Sequence, residues 1–380
     1  METIAVFRHQ LFKGSEPFIA DQAQQFRQFF PLYVGRERLS AGPSGTESVA
    51  LTDRIAQRRM AARLWQVISR DPRPYVALLR DRGPKLIHAH FGVDAVYAQP
   101  LARELDIPLI TTFHGFDATM SAAALLRSRK PAWWNYVLFR HAVAVEGARF
   151  LCVSEYIRKR VVALGFPDQR TRVHYIGVDT DVIRPRAQTA GRPTIIHVAR
   201  LVEKKGTRDL IEAVAIVARA TPDVELRIVG TGPLEADLRK LTRERGLGNV
   251  VHFLGTQPHE RVLELISRAS ILALPSVEAR SGDAEGLGMV LLEAAACGIP
   301  AVATRHGGIP EVVLDGTTGR LCAEHDVNDL AAALTELVRN DSLRRRLGSA
   351  ARKRAESDFN LKKQSAALEA IYQEEIHAGS

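Results

Sequence analysis

The 380-residue sequence predicts an α/β protein made of two parallel-sheet domains. Three observations predict it. Short β-branched runs alternate with helical patterns, which places helices over both faces of a parallel sheet. The alternation restarts midway, after GVDTDVIRPRAQTAGRPT (177–194), a stretch rich in Pro, Gly and Thr that reads as a linker. The length also suits two domains of ordinary size.

The elements follow in order. In the first half the strand runs are IAVF (4–7), the weaker PLYV (31–34), LIHAH (86–90), PLITTF (108–113), RFLCVS (149–154) and RVHYI (172–176). In the second half they are TIIHVA (194–199), VELRIV (224–229), VVHFL (250–254), ILALP (271–275) and PAVAT (300–304). Helical patterns fill 207–220, 234–246, 258–268, 286–297 and 341–375, and SEPF (15–18) reads as a helix start with Ser15 as N-cap. The expected division is 1–185, 186–358 and a final helix at 359–380 that crosses back to the first domain. An interdomain cleft is expected, with ligands beyond the carboxyl ends of the strands.

Composition narrows the function classes. With 46% hydrophobic and 25% charged residues the chain is an ordinary globular protein and not a disordered one. METIAVFRHQ lacks a basic leader followed by an apolar core, so no secretory signal is expected. No window approaches 18 apolar residues, so no membrane span is expected either. Cys152, Cys297 and Cys322 are far apart and read as buried thiols of a reducing cytosol. The net charge of +9 lies wholly in the first half, where residues 1–185 hold 26 Lys/Arg against 17 Asp/Glu. An anionic substrate or membrane surface fits that excess, as does a solvated basic face. No nucleic-acid recognition motif accompanies it, and no nucleic-acid partner is expected.

The chemistry-bearing residues concentrate in the second half. Arg200 and Lys205 in VARLVEKKGT (198–207) follow its first strand. A guanidinium and an ammonium at the mouth of a parallel sheet suit a diphosphate, and a solvated charged loop is the plainer alternative. VGTGP (229–233), with Gly230, permits close approach of backbone to a ligand. EGLGMVLLE (285–293) carries a glutamate at each end. On an ideal α-helix, eight steps of about 100° bring Glu293 to within about 80° of Glu285, so the two can face one cavity, with Glu285 just ahead of the predicted helix and Glu293 two turns in. Glu285 is placed to accept from sugar hydroxyls, and Glu293 from a ribose. Gly286, Leu287, Gly288 and Met289 between them offer unpaired amides to phosphate or sugar oxygens.

Taken together, this ordered series resembles the nucleotide-sugar domain of the retaining glycosyltransferase family 4, whose members adopt the GT-B fold of two Rossmann-like domains facing a cleft. The series runs from Arg200 and Lys205 through the paired glutamates to GGIPEVVLDGTTG (307–319). TFHGFD (112–117) matches the family's first-domain His–Gly motif, and CVSEYIRKRVVALGFPDQRTRVHYIGVDTDVIRP (152–185) the segment before its linker. The resemblance implies a donor linked to UDP or GDP, with no cofactor and no metal. It implies that Arg200 and Lys205 stabilise the leaving diphosphate, Glu285 holds the donor sugar, Glu293 the ribose, and His114 meets the sugar from the opposite domain. The base would lie near His252 to Gln257. Gly14 stands alone where many members have a glycine pair, and its amide would approach the phosphate. Asp117 either orients an acceptor hydroxyl or caps the following helix. Retaining members react on one face of the sugar, so a phosphate oxygen takes the acceptor proton.

The expected activity is hexose transfer to a carbohydrate or lipid-linked acceptor in bacterial polysaccharide biosynthesis. A non-catalytic nucleotide-sugar binder and a sugar-nucleotide 2-epimerase are the rival readings. LLRSRKPAWWNYVLFRH (125–141) mixes basic residues with Trp133, Trp134, Tyr136, Leu138 and Phe139. It reads either as a helix resting on an anionic membrane or as one packing its aromatics inward. The expected location is the cytoplasm, with peripheral attachment to the inner face of the membrane.

Overall fold

The computed structural model describes residues 1–53, 60–186 and 191–378. The chain forms two compact units, 1–177 with 361–380, and 178–360.

The first unit holds a seven-stranded parallel sheet. From edge to edge its strands are Glu47–Ala50, Phe29–Gly35, Glu2–Phe7, Ile87–His90, Leu109–Phe113, Arg149–Cys152 and Thr171–Val173. Ile4 to Phe7 and Ile87 to His90 are buried throughout, as strands covered on both faces must be. Register pairs Ala5 with Ile87 and Phe7 with Ala89. The second unit holds six parallel strands: Val251–Gly255, Glu225–Val229, Thr194–Val198, Ile271–Leu274, Ala301–Thr304 and Gly319–Cys322. In both sheets the strand order reverses beside the first strand, the doubly wound arrangement that opens a crevice at that point.

The helix Thr207–Ala220 shows how the sequence fixes the cover. Leu210, Ile211, Val214 and Val217 fall on one face and pack into the core with Ile195, Leu226 and Ile271.

Differences from expectation have local causes. The edge strands Glu47–Ala50 and Gly319–Cys322 are short and mix charged or glycine residues with apolar ones, so no apolar run marks them. The run at 172–176 pairs only as far as Val173. The helix expected from Ser15 starts at Pro17 with Glu16 as N-cap. The expected helix 341–375 is two helices, Asp341–Asp358 and Leu361–Ala378. The unit boundaries at 177/178 and 360/361 replace those expected at 185/186 and 358/359. Residues 178–185 pack on the second unit, where Arg352 donates to the carbonyls of Thr180, Ile183 and Ala296, each at 2.6 Å. The chain leaves and re-enters the first unit at adjacent points, since Val178 N donates to Phe359 O at 2.8 Å. All three cysteines are buried and free.

Candidate functional site

In the second unit the strand order reverses between Thr194–Val198 and Ile271–Leu274. The segments leaving these two strands meet. Val277 N donates to Lys204 O at 2.8 Å. Gly206, at φ +61°, lies so close to Pro275 that a Cβ would fall 1.8 Å from its carbonyl oxygen. Only glycine fits there, and this approach carries Lys205 across to Glu285. Lys205 Nζ donates to Glu285 Oε2 at 2.5 Å, and Ser276 Oγ donates to the same oxygen at 3.2 Å.

The remaining capacity of these groups defines what they can bind. Glu285 Oε1 and two of the three Lys205 N–H groups form no bond among the described residues. Arg200 is exposed, and its guanidinium likewise has no partner among the described residues. Burial alone would raise the Glu285 carboxyl above its ordinary 4.5. Lys205, Lys204 and the two hydrogen bonds outweigh burial and hold it at about 2. Lys204 is itself paired with Asp283 at 2.9 Å. The site therefore presents an ionised acceptor oxygen beside an ammonium donor, with the exposed Arg200 on the loop that leads to Lys205.

The other expected donor residues take varied places. Gly230 lies against the Arg200 loop, where a Cβ would fall 2.1 Å from Ala199 O. Gly286, Leu287 and Gly288 are buried and Met289 half-buried. The helix begins at Met289 and ends at Ala296, because Gly288 sits at φ +87°. Glu285 therefore lies ahead of the helix, as expected, and Glu293 within it, but the helix starts three residues later than the 286–297 pattern predicts. Glu293 Oε1 pairs with His259 Nε2 at 2.8 Å, leaving Oε2 without a partner among the described residues. His252 is half-buried on the edge strand, opposite Arg227. No hydrogen bond joins Glu293 or His252 to the Lys205–Glu285 pair.

The first unit gathers its polar groups at the corresponding reversal, between Glu2–Phe7 and Ile87–His90. Asp94, buried, accepts His9 N at 3.0 Å, pairs with His9 Nδ1 at 2.8 Å and pairs with Arg8. Burial opposes its ionisation, but Arg8 and His9 hold the carboxyl well below the usual carboxylate range. His114 Nε2 lies 3.1 Å from His90 Nδ1, and Phe91 packs on its ring at 4.4 Å. His114 Nδ1 is buried without a hydrogen-bond partner among the described residues. Burial, Arg8 and His88 push this imidazole well below its ordinary value, so it is neutral at pH 7.

One expectation changes here. Asp117 is 1% exposed, and both its oxygens are taken by amides: His114 N (3.2 Å), Gly115 N (2.9 Å) and Gly92 N (2.9 Å). It holds the loop that carries His114 and presents nothing to an acceptor. Burial pushes its carboxyl up to about 6 despite those three donors. Gly14 lies in an exposed turn, where a Cβ would meet nothing within 4 Å.

Sequence reasoning missed Ser276, His306, Glu324, Arg8 and Asp94. The sole signal was positional: Arg8 and Ser276 follow strand ends, and His306 sits in RHGGIPE (305–311), which reads locally as a turn.

Two doubly wound parallel-sheet units, one carrying this site, define an enzyme of the GT-B architecture. Solved structures agree on the fold. HepE of Anabaena, crystallised with UDP, superposes with a TM-score of 0.77 at 19% identity, over 98% of this chain and all of that one. Sucrose-phosphate synthase of Thermosynechococcus elongatus superposes at 0.79 and 20% identity over the whole of both chains. The family profile "Glycosyl transferases group 1" matches residues 179–354, and "Glycosyltransferase Family 4" matches 34–182. The chain belongs to glycosyltransferase family 4. It is 37% identical over 279 residues to the putative colanic acid biosynthesis glycosyltransferase WcaL of Salmonella typhimurium, a match spanning 72% of this chain and 66% of that protein. It is 33% identical over 301 residues to a GDP-mannose-dependent phosphatidylinositol monomannoside mannosyltransferase of Mycolicibacterium smegmatis, spanning 74% of this chain and 75% of that one.

Proposed function

We propose that this chain is a retaining hexosyltransferase that moves a hexose from a UDP- or GDP-linked donor to a carbohydrate or lipid-linked acceptor in polysaccharide assembly. The observation that carries the proposal is the Lys205–Glu285 pair at the sheet's reversal, with an unfilled carboxylate oxygen and unfilled ammonium N–H groups side by side. A donor diphosphate takes the free Lys205 and Arg200 N–H groups, and a sugar hydroxyl donates to Glu285 Oε1. Glu293 Oε2 accepts from the ribose. As the sugar–phosphate bond breaks, charge grows on the leaving oxygen, where preorganised cations act most strongly. We assign His114 as a neutral hydrogen-bonding group for the sugar. In this reading the two cations supply the stabilisation and no metal or cofactor is required. The colanic-acid relative supports a polysaccharide role, and HepE, solved with UDP-glucose, supports a nucleotide-sugar donor.

A thermal-shift panel of UDP, GDP, ADP and dTDP and their sugar nucleotides tests the donor. One base raises the melting temperature, by the equivalent of about 2.7 kcal/mol at a hundredfold excess over its dissociation constant. Radiolabelled donor then distinguishes the readings. Transfer to acceptor supports the proposal, an epimer formed from donor alone supports the epimerase, and binding without turnover supports a binder.

We further propose that the acceptor side rests on an anionic bilayer. Among the described residues no helix is long and apolar enough to cross a membrane. The 125–141 segment is two helices, Ala122–Arg127 and Pro131–Glu146, and its aromatics divide. Tyr136 turns inward, 1% exposed, and Trp133 packs on Phe116 at 5.5 Å. Trp134, Leu138 and Val145 stay exposed along one stripe, while Phe139 lies off it under the Arg70 guanidinium. Leu64, Trp65 and Ile68 are exposed on the helix Met60–Ser69, which Asn135 ties to the helix Pro131–Glu146 by donating to Val67 O at 2.8 Å. Exposed Arg127, Arg129 and Lys130 border this surface, and the pairing of apolar side chains with cations matches an anionic interface. Flotation with phosphatidylglycerol vesicles should carry the protein up, and Trp65→Ser with Leu138→Ser should lower the bound fraction at least fivefold. Equal flotation of the double variant, or lipid-free dimers dissolved by it, overturns the membrane assignment.

A further inference from the structure

We infer that Glu324 is a positioning residue for Glu285, acting through the tautomer of His306. The inference rests on the transferase reading for its effect on turnover, but the arrangement itself stands on geometry.

His306 is buried between two groups of opposite demand. Its Nε2 lies 3.1 Å from the backbone N of Glu285, and its Nδ1 lies 2.8 Å from Glu324 Oε1. An N–H faces Nε2, so that nitrogen offers its lone pair. The neutral ring then carries its proton on Nδ1 and donates it to the Glu324 carboxylate. Glu324 thus fixes which nitrogen accepts, and His306 in turn fixes the Glu285 main chain.

The same carboxylate holds the other end of the segment. Glu324 Oε2 accepts Glu278 N at 2.9 Å. Residues 278 and 285 are therefore tied, directly or through one ring, to a single side chain. Between them the loop closes on itself, with Gly282 N donating to Ala279 O at 2.8 Å and Ala279 N to Asp283 O at 3.0 Å. On the far side of Glu285, Gly308 N donates to the Glu285 carbonyl at 3.1 Å, and a Cβ on Gly307 would fall 2.2 Å from that oxygen. The Glu285 peptide is gripped at both N–H and C=O, which aims its side chain at Lys205 and leaves Oε1 facing outward. Without Glu324 the ring is free to carry its proton on Nε2, and two N–H groups then oppose each other at Glu285. A carboxylate outside the donor contacts that orients a ligand-holding group through an imidazole is the outer-shell device familiar from metal sites, used here on a peptide.

The test compares Glu324→Ala, Glu324→Gln and His306→Phe in the full chain. Imidazole ¹⁵N spectra of selectively labelled protein should show His306 with its proton on Nδ1 in the wild type and shifted towards Nε2 in Glu324→Ala. With the donor identified, kcat of Glu324→Ala should fall ten- to fiftyfold, while the dissociation constant of the free nucleoside diphosphate stays within twofold. Glu324→Gln keeps an oxygen for Nδ1–H but turns its NH2 towards Glu278 N, and should recover kcat only in part. His306→Phe should reproduce the loss of kcat and lower the melting temperature, because the Glu285 amide loses its acceptor. An Nε2–H wild-type tautomer, or an Ala variant with wild-type kcat, overturns the inference. A tautomer that shifts as expected in a protein lacking any transferase activity would leave the clamp standing and remove the proposed function instead.

Discussion

Lys205→Ala lowers kcat by two to three orders of magnitude, a loss of about 3–4 kcal/mol of transition-state stabilisation, and destabilises the protein as well. Both effects come from one ion pair. Under the proposed function, Lys205 opposes charge growing on the leaving oxygen. In the resting protein it holds the Glu285 carboxyl ionised in a place where burial would otherwise protonate it. The stability effect has a defined sign. A carboxyl lowered from 4.5 to about 2 on folding contributes stability that is fully present above pH 4.5 and is lost as pH falls through about 2. That contribution is on the order of 3 kcal/mol, and the alanine variant forfeits it. Its stability should change less steeply than the wild type's between pH 4.5 and 2. The pair Lys205→Met with Glu285→Gln separates the two effects. Both charges go, Ser276 keeps an acceptor, and no buried carboxylate is stranded, so the melting temperature should return towards wild type while transfer stays absent. Initial rates with radiolabelled donor and denaturation at several pH values make the measurement. Wild-type turnover in Lys205→Ala would remove the assigned role.

The fold was legible because the central strands are buried on both faces, which leaves continuous apolar runs such as those at 4–7 and 271–274. Edge strands leave no such trace. Glu47–Ala50 and Gly319–Cys322 bury their apolar residues beside Glu47, Ser48 and Arg320, and a local reading passes over them. The site was legible as residue types and not as contacts. Lys205 and Glu285 could each be singled out, but they lie 80 positions apart, and only sheet topology joins them. The helix start was misplaced by three residues because the pattern over 286–297 does not reveal that Gly288 adopts φ +87°. Glu324 gave no local signal, and His306 only its place in the turn RHGGIPE. Their roles exist only because Cys322 ends a strand beside Thr304, which brings the two following loops together. Asp117 was placed correctly in the chain and given an open role, which burial then settled in favour of structure.

Glu369→Ala carries the second large effect, and it falls on stability. The residue lies on the helix Leu361–Ala378, 2% exposed, and its Oε1 accepts three consecutive backbone N–H groups: Arg27 (2.8 Å), Gln28 (2.7 Å) and Phe29 (3.2 Å). Those amides lead into the strand Phe29–Gly35, beside the first strand of the sheet. Successive N–H groups converging on one oxygen form an anion-binding nest, here filled by the protein's own carboxylate. One turn further on, Tyr372 packs against Phe26 and Phe29 at 5.6 and 5.7 Å, and its hydroxyl lies 2.6 Å from His88 Nδ1. The final helix is thus integral to the first unit, from which it is separated in sequence by the whole of the second. Alanine at 369 strands the buried Phe29 amide, while those of the exposed Arg27 and Gln28 are left to water, at a cost of about 1–3 kcal/mol for each group that water cannot reach. A total of about 1–3 kcal/mol corresponds to a fall in melting temperature of roughly 5 °C for a unit of this size. Glu369→Gln keeps a neutral oxygen for the nest and should lose less than half as much. Thermal denaturation followed by circular dichroism decides the matter. A shift below about 2 °C for the alanine variant would show that the amides find other partners and that the helix is held by its apolar face alone.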